Sequence, residues 1–372
     1  STNTEPATFM AQPFRRMAHN GELNTDKKNR LSEDAIAKQN DKKVIFPKGQ
    51  SDSARLDQTL ARRIMEDELD IVTAVLAMMP PAWENDPKLS PDVRAMYEYF
   101  SLYEEKNDGP AALIFSDGVK VGARLDRLGL RPLRSIETTE YVAVMSEAGQ
   151  ITFPAEDVIK RGRIEAGGML VFDHEAGRSF ISTEVEEMLA ARENYSKLLN
   201  ERSFHLDTLP AVANSEINTD HEFNFDSRHV AYSQHQESFR FLLDSMIEDG
   251  GEKITAMGYG VTLNVLNGAE GGMSRFFSQR FAQVTNPPLD SIREKDGMTL
   301  RVSLGAKPNF STDDSQQIVI DSPILQRADL EKIRRQDAVS VKTIDMLFSP
   351  SLDAKENEAQ LEAALNDFLD QV

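Results

Sequence analysis

An α+β fold is predicted for the first half of this chain, and two observations predict it. Short apolar runs separated by turn signals recur between residues 111 and 181, and amphipathic helical patterns flank them on both sides. Residues 27–43 are polar and charged and read as a loop or an irregular helix. Ser51-Asp52-Ser53 then precedes a stripe of Leu56, Leu60 and Ile64 at i, i+4, i+8, so a helix begins there and one of the three polar residues caps it. A second helix is expected over residues 92–105, after the Pro80-Pro81 turn.

Three hairpins follow in the pattern. Residues 111–115 and 119–125 flank Ser116-Asp117-Gly118. Residues 141–145 and 150–153 flank Ala148-Gly149. Residues 169–172 and 179–181 flank Ala176-Gly177. Repeated hairpins argue for an antiparallel sheet. A long helix is expected over 183–200, and the polar stretch 201–228 is read as a domain boundary. Beyond it, Phe239, Leu242, Leu243 and Met246 mark an amphipathic helix. A Gly-rich stretch (257–273), an Asn286-Pro287-Pro288 turn, a short strand at 318–320 and an acidic helix over 354–369 complete the chain. The division is therefore 1–200 and 201–372.

Composition narrows the chemistry. The 61 acidic and 42 basic residues give a net charge of −19, a field that repels phosphate backbones and argues against nucleic acid as a partner. No apolar run approaches the roughly 20 residues of a membrane helix, and no signal-peptide pattern opens the chain, so no membrane partner is expected. The absence of cysteine excludes disulfides, thiolate metal sites and iron–sulfur ligation within these 372 residues. The six histidines lack paired spacing, and no metal site is expected. The chain begins Ser1-Thr2-Asn3-Thr4 rather than with Met, and is read as a piece of a larger enzyme.

The most informative run is Ala18-His19-Asn20-Gly21-Glu22-Leu23-Asn24. A side-chain amide next to a glycine N–H offers two polarised donors, the makings of an oxyanion hole. An Asn-Gly pair alone equally favours a type I′ turn. Asp52 and Asp57 stand on the next helix, and Asp108-Gly109-Pro110-Ala111 and Asp126-Arg127-Leu128-Gly129-Leu130-Arg131-Pro132 read by themselves as turn punctuation.

With its lead-in Ala11-Gln12-Pro13-Phe14-Arg15-Arg16-Met17, the first run resembles the oxyanion segment of class II, N-terminal-nucleophile glutamine amidotransferases, and more narrowly that of glutamate synthase large subunits. The run 125–134 is similar to a glutamate synthase segment in which Leu128 replaces the usual Asn. Asn107 stands where that family has Trp before Asp-Gly-Pro-Ala. Residues 280–294 and Asp321-Ser322-Pro323-Ile324-Leu325 resemble signatures of the family's central domain, whereas Gly258-Tyr259-Gly260-Val261-Thr262 lacks its two acidic residues.

The resemblance implies a partial αββα N-terminal-nucleophile layer structure in residues 1–200, followed by an α/β central domain in 201–372. It implies that Asn20 and Gly21 stabilise the tetrahedral oxyanion and that Asp52 binds the α-ammonium of L-glutamine. Arg127 and Arg131 are expected to support the site. The nucleophile, an N-terminal Cys, is expected outside this chain. So are FMN, an iron–sulfur cluster, the FMN-binding synthase domain of the same parent chain, and a small reductase subunit or ferredoxin; 2-oxoglutarate is expected as a substrate of the parent enzyme. A cytoplasmic location is expected. A non-catalytic paralogue and a stand-alone amidotransferase with another acceptor remain as alternative readings.

Overall fold

The computed structural model describes residues 14–39, 41–213, 229, 234, 236–251, 290–307, 316–344, 349, 351 and 353–371. Two compact units result, one of Ser1–Asn214 with Asp290–Val372 and one of Ser215–Leu289. The first is α+β. Its main sheet is antiparallel throughout, in the order β1 (Met17–Gly21), β2 (Ala111–Ser116), β3 (Lys120–Leu125), β7 (Met169–Asp173), β8 (Arg178–Ile181).

Strand alternation sorts the side chains. Ala111, Leu113 and Phe115 of β2 enter a core with Leu56, Met96 and Phe100, while Ala112 joins Ala123, Leu125, Leu133 and Ile164 in a smaller cluster. The large core is roofed by α2 (Asp52–Met65), α3 (Ile71–Met78), α4 (Pro91–Tyr103) and α5 (Ser182–Ala190). Ser51 caps α2, its hydroxyl accepting from Ala54 N, and Ser90 caps α4 in the same way through Val93 N. The β2–β3 and β7–β8 hairpins form as the pattern predicts. At the first, Asp117 accepts from Val119 N and Lys120 N, and Gly118 takes φ +95°.

Three elements differ from the sequence expectation. Residues 27–43 hold a regular helix, α1 (Asp26–Gln39). Its inward stripe is Asn29, Glu33 and Ala37 at i, i+4, i+8, and two of these are polar. Asn29 donates to Glu105 O, and Glu33 pairs with Arg62 and Arg63 of α2. The middle hairpin is β4 (Arg134–Thr138) with β5 (Val142–Met145), and β6 (Val158–Arg163) covers the other edge of β4, so residues 150–153 form no strand. Its turn is set by the Thr138 hydroxyl, which accepts from Glu140 N and Tyr141 N, rather than by Ala148-Gly149. The helix expected over 183–200 is two, α5 and α6 (Tyr195–Arg202). The break lies where Arg192 turns to Asp70 and Asn194 caps α6 through Lys197 N.

Later segments of the same unit lie against these helices. β9 (Ser203–His205) runs parallel to β11 (Gln317–Ile320), and β10 (Val302–Leu304) is antiparallel to β11, so this sheet is mixed. Gln317 donates to Leu102 O at 2.9 Å, Arg301 pairs with Glu98, and Asn85 donates to Lys295 O and Met298 O. Helices α7 (Ser291–Gly297), α8 (Arg327–Arg335) and α9 (Ala354–Gln371) complete it, the last as the pattern expects. In the other unit, Gln236–Ser238, a π-helical Phe239–Leu243 and Asp244–Asp249 run end to end to Gly250, which takes φ +63°. The Gly-rich stretch 257–273, the Asn286-Pro287-Pro288 turn and residues 280–289 lie outside the described residues. Among the described residues no helix is long and apolar enough to cross a membrane.

Besides its ladder with β2, β1 is held by α2. The buried Asp57 carboxylate accepts from Arg15 N, Arg16 N and Met17 N at 3.0, 2.9 and 3.2 Å. Asp57→Ala leaves all three donors unpaired and is expected to cost about 2–4 kcal/mol in urea unfolding. A loss under about 0.5 kcal/mol would remove the clamp from this account.

Candidate active site

The site is built where β1 ends. Gly21 faces Ala111 across the ladder, and Asn20 faces Ala112. The Asn-Gly pair is therefore strand, not a two-residue turn. Main-chain bonds run from Ser116 N to Arg16 O, Glu22 N to Pro110 O and Asn24 N to Asp108 O. In an antiparallel pair these bonds fall on alternate residues, here the even-numbered ones of β1. The Gly21 N–H accordingly points away from β2, toward a side on which no described strand pairs. Asn20 is exposed, and its side chain makes no hydrogen bond to the described residues.

Gly21 has no room for a side chain: a Cβ would lie 1.9 Å from Pro110 O and 2.8 Å from Ala111 Cα. Gly109 fits the same approach from the other side. It takes φ +129°, and a Cβ there would stand 2.3 Å from Glu22 O. The segments 21–24 and 108–111 are thus pressed backbone to backbone.

Asp52 is brought to this corner by α2. Its Oδ2 accepts from Leu23 N at 2.8 Å, and its Oδ1 from Ser53 N at 2.7 Å. A carboxylate in the first turn of a helix is also favoured by the helix dipole. Asp57, one turn on, is occupied by the start of β1, which leaves Asp52 as the carboxylate beside the end of the strand.

His19 belongs to this corner, and sequence reasoning gave it no role. Its Nδ1 lies 2.7 Å from Ser53 Oγ, which is 3.3 Å from Asp52 Oδ1. Burial lowers the His19 pKa to about 4 against the pull of Asp52, so the ring is neutral at pH 7. The only sequence signal was its place before Asn20-Gly21; the contact with Ser53 is tertiary.

The supporting loop is organised by buried Asp126. Its carboxylate accepts from Leu128 N, Leu130 N and Arg131 N, and from Ala111 N at 3.2 Å, which ties the loop to the residue facing Gly21. Arg127 pairs with Asp108 at 2.7 Å and donates to Gly297 O. A 370 Å³ cavity borders Arg127 and Arg131, and a 350 Å³ cavity lies between α4 and residues 299–307; neither reaches Asn20, Gly21 or Asp52. Among the described residues no group of His, Asp and Glu is arranged to hold a metal.

Comparison with known proteins gives the family. The family model for class-II glutamine amidotransferases matches residues 1–198, and that for the glutamate synthase central domain matches 227–372. The chain belongs to the class-II glutamine amidotransferases, and its later residues match the glutamate synthase central domain. It is 34% identical to the chloroplastic ferredoxin-dependent glutamate synthase of Oryza sativa subsp. japonica, over 94% of this chain and 22% of that protein. It is 33% identical to the large chain of the NADPH glutamate synthase of Azospirillum brasilense, over 94% of this chain and 24% of that one. It thus spans about a quarter of the length of these relatives. A solved glutamine phosphoribosylpyrophosphate amidotransferase from B. subtilis aligns at 17% identity and a TM-score of 0.24, over 44% of this chain and 28% of that one.

The depressed His19 pKa makes stability depend on pH. Between about 6.5 and about 4 the unfolded chain binds a proton that the folded one excludes, so stability falls as pH drops through that window. The loss attributable to His19 is at most about 3 kcal/mol. Urea unfolding of His19→Gln should show a shallower decline from pH 6.5 to 4 than wild type. Parallel curves would mean that the ring titrates normally.

Proposed function

We propose that the parent protein of this chain is a glutamate synthase large subunit. It hydrolyses the side-chain amide of L-glutamine and passes the ammonia internally to 2-oxoglutarate for reductive synthesis of L-glutamate. In this reading residues 1–200 are the C-terminal part of the glutaminase domain and residues 201–372 its central domain. One observation carries the site: the Gly21 N–H is directed off the open edge of β1, beside the exposed Asn20 and next to an Asp52 fixed by Leu23 N.

Asn20, through its side-chain amide, and Gly21, through its N–H, stabilise the oxyanion that forms when the amide carbon is attacked. Donors already oriented need no reorganisation as charge develops, which is why such pairs lower barriers. Asp52 holds the substrate ammonium by charge-assisted hydrogen bonds, with its own orientation set by Leu23 N and Ser53 N. Neutral His19 and Ser53 support Asp52, and Arg127 braces Asp108 beside the strand. The attacking thiolate of the family is not among these residues, which include no cysteine.

FMN and an iron–sulfur cluster belong to other parts of the parent protein. A cluster held by thiolates does not fit these cysteine-free residues, and no step is assigned to either group here. The reductant enters through a small reductase subunit or ferredoxin, and the FMN-binding synthase domain lies in the same parent chain. A cytoplasmic location accompanies this reading.

Three outcomes test it. Purified alone, the 372-residue chain should release no glutamate from glutamine. In the full-length protein, Asn20→Ala should lower kcat for glutamine hydrolysis by roughly 10²–10³. Asp52→Asn should act mainly on KM. A loss below tenfold for Asn20→Ala would take the oxyanion role away from it.

A further inference from the structure

The chain is strongly acidic, yet one surface is the reverse. β4 and β6 set Arg134 directly opposite Arg163, and Arg161 lies two residues along the same face of β6. Like charges facing each other across a ladder destabilise a sheet unless something of opposite charge lies between them. Arg134 and Arg163 line two adjoining cavities of 370 Å³ each. Arg127 and Arg131 complete the first, and Arg161 the second.

Among the described residues, little neutralises this surface, and Glu165 is the only acidic one lining either cavity. It pairs with Arg163 at 2.8 Å, with both side chains about two-thirds exposed, an arrangement worth little in water. Arg127 is engaged with Asp108 and Gly297 O. Arg131 and Arg134 have no carboxylate partner among the described residues, and Arg131 Nε is buried without a hydrogen-bond partner. A buried guanidinium donor left unpaired costs free energy that a bound anion would recover.

We propose that these arginines form a binding site for a small polyanion, phosphate- or carboxylate-bearing, seated between Arg131 and the Arg134–Arg163 pair. The concave form and volume suit a small ligand. The net charge of −19 disfavours the longer-range approach of a polyanionic polymer or an anionic membrane. Neither cavity is lined by Asn20, Gly21 or Asp52, although the charge of Arg131 also reaches His19, and the proposal does not depend on glutamine hydrolysis.

The test uses the full-length protein, with calorimetric titration of inorganic pyrophosphate and of citrate at an ionic strength held constant by KCl. Saturable binding of one or both is expected, the preferred probe identifying the phosphate or the carboxylate source. Arg131→Gln and Arg134→Gln should each weaken it at least tenfold. Independently of any variant's folding, the bound probe should protect Arg131, Arg134 and Arg163 from phenylglyoxal, read by mass spectrometry, and leave the exposed Arg178 unprotected. No saturable binding of either probe, equal binding by wild type and both variants, or protection no different from that of Arg178 would overturn the proposal.

Discussion

The clamp of α2 on β1 is the constraint from which the site follows. An edge strand with one described neighbour is free to slip, and a slip of one residue would exchange the faces of every side chain. Here Asp57 fixes the N–H groups of Arg15, Arg16 and Met17, and Asp52 fixes that of Leu23, so one helix holds both ends of the strand. The register is defended sterically as well. Any residue with a Cβ at the Gly21 position would meet Pro110 O at 1.9 Å. Attraction and exclusion therefore select the same alignment, the one that turns the Gly21 N–H off the ladder.

Behind that clamp lies a layer of buried charge rather than a purely apolar interface. Arg63 of α2 is enclosed by Glu33 and Glu104. Burial works against its charge, but the two carboxylates outweigh it and push its pKa up, while burial raises that of Glu33. Arg124, fully buried on β3, donates both Nε and Nη2 to Met79 O, and Tyr97 donates to Glu186 at 2.6 Å nearby. Breaking such a pair strands an uncompensated charge, so these contacts enforce one packing of α1, α2 and α4 more than they add net stability.

This layer also explains what the sequence concealed. Hydrophobic periodicity finds α2 through Leu56 and Leu60, but α1 turns Asn29, Glu33 and Ala37 inward, and its stripe is invisible to that signal. The two hairpins with Asp-Gly or Ala-Gly turns were legible, whereas the β4–β5 turn, made by the Thr138 hydroxyl, carries no glycine. The Ser51 cap was among the three residues the sequence singled out. Asn20, Gly21 and Asp52 were nameable because each stands in a short contiguous run that resembles the family's. The motif favours Asp52 over Asp57 for the site, but the His19–Ser53 link and the hold of Asp57 on the start of β1 depend on how α2 crosses β1, which no local pattern encodes.

Two of the three departures from the family pattern fall on described residues and converge on one place. Asn107, where Trp is usual, is buried and bonds Met78 O through both its N–H and its side chain, which keeps Asp108 within reach of Arg127. Leu128, where Asn is usual, packs so closely on Gly297 that a Cβ there would lie 2.4 Å from it. Arg127 joins the two, bridging Asp108 and the carbonyl of that same glycine. Asp108 O in turn receives Asn24 N, three residues beyond Gly21. A displacement of residues 295–298 would therefore be felt at the end of β1 through one arginine and one hydrogen bond. The substituted residues lie beside that path, Leu128 against Gly297 and Asn107 next to Asp108. They flank the contacts that join residues 295–298 to the corner where Asn20 and Gly21 stand.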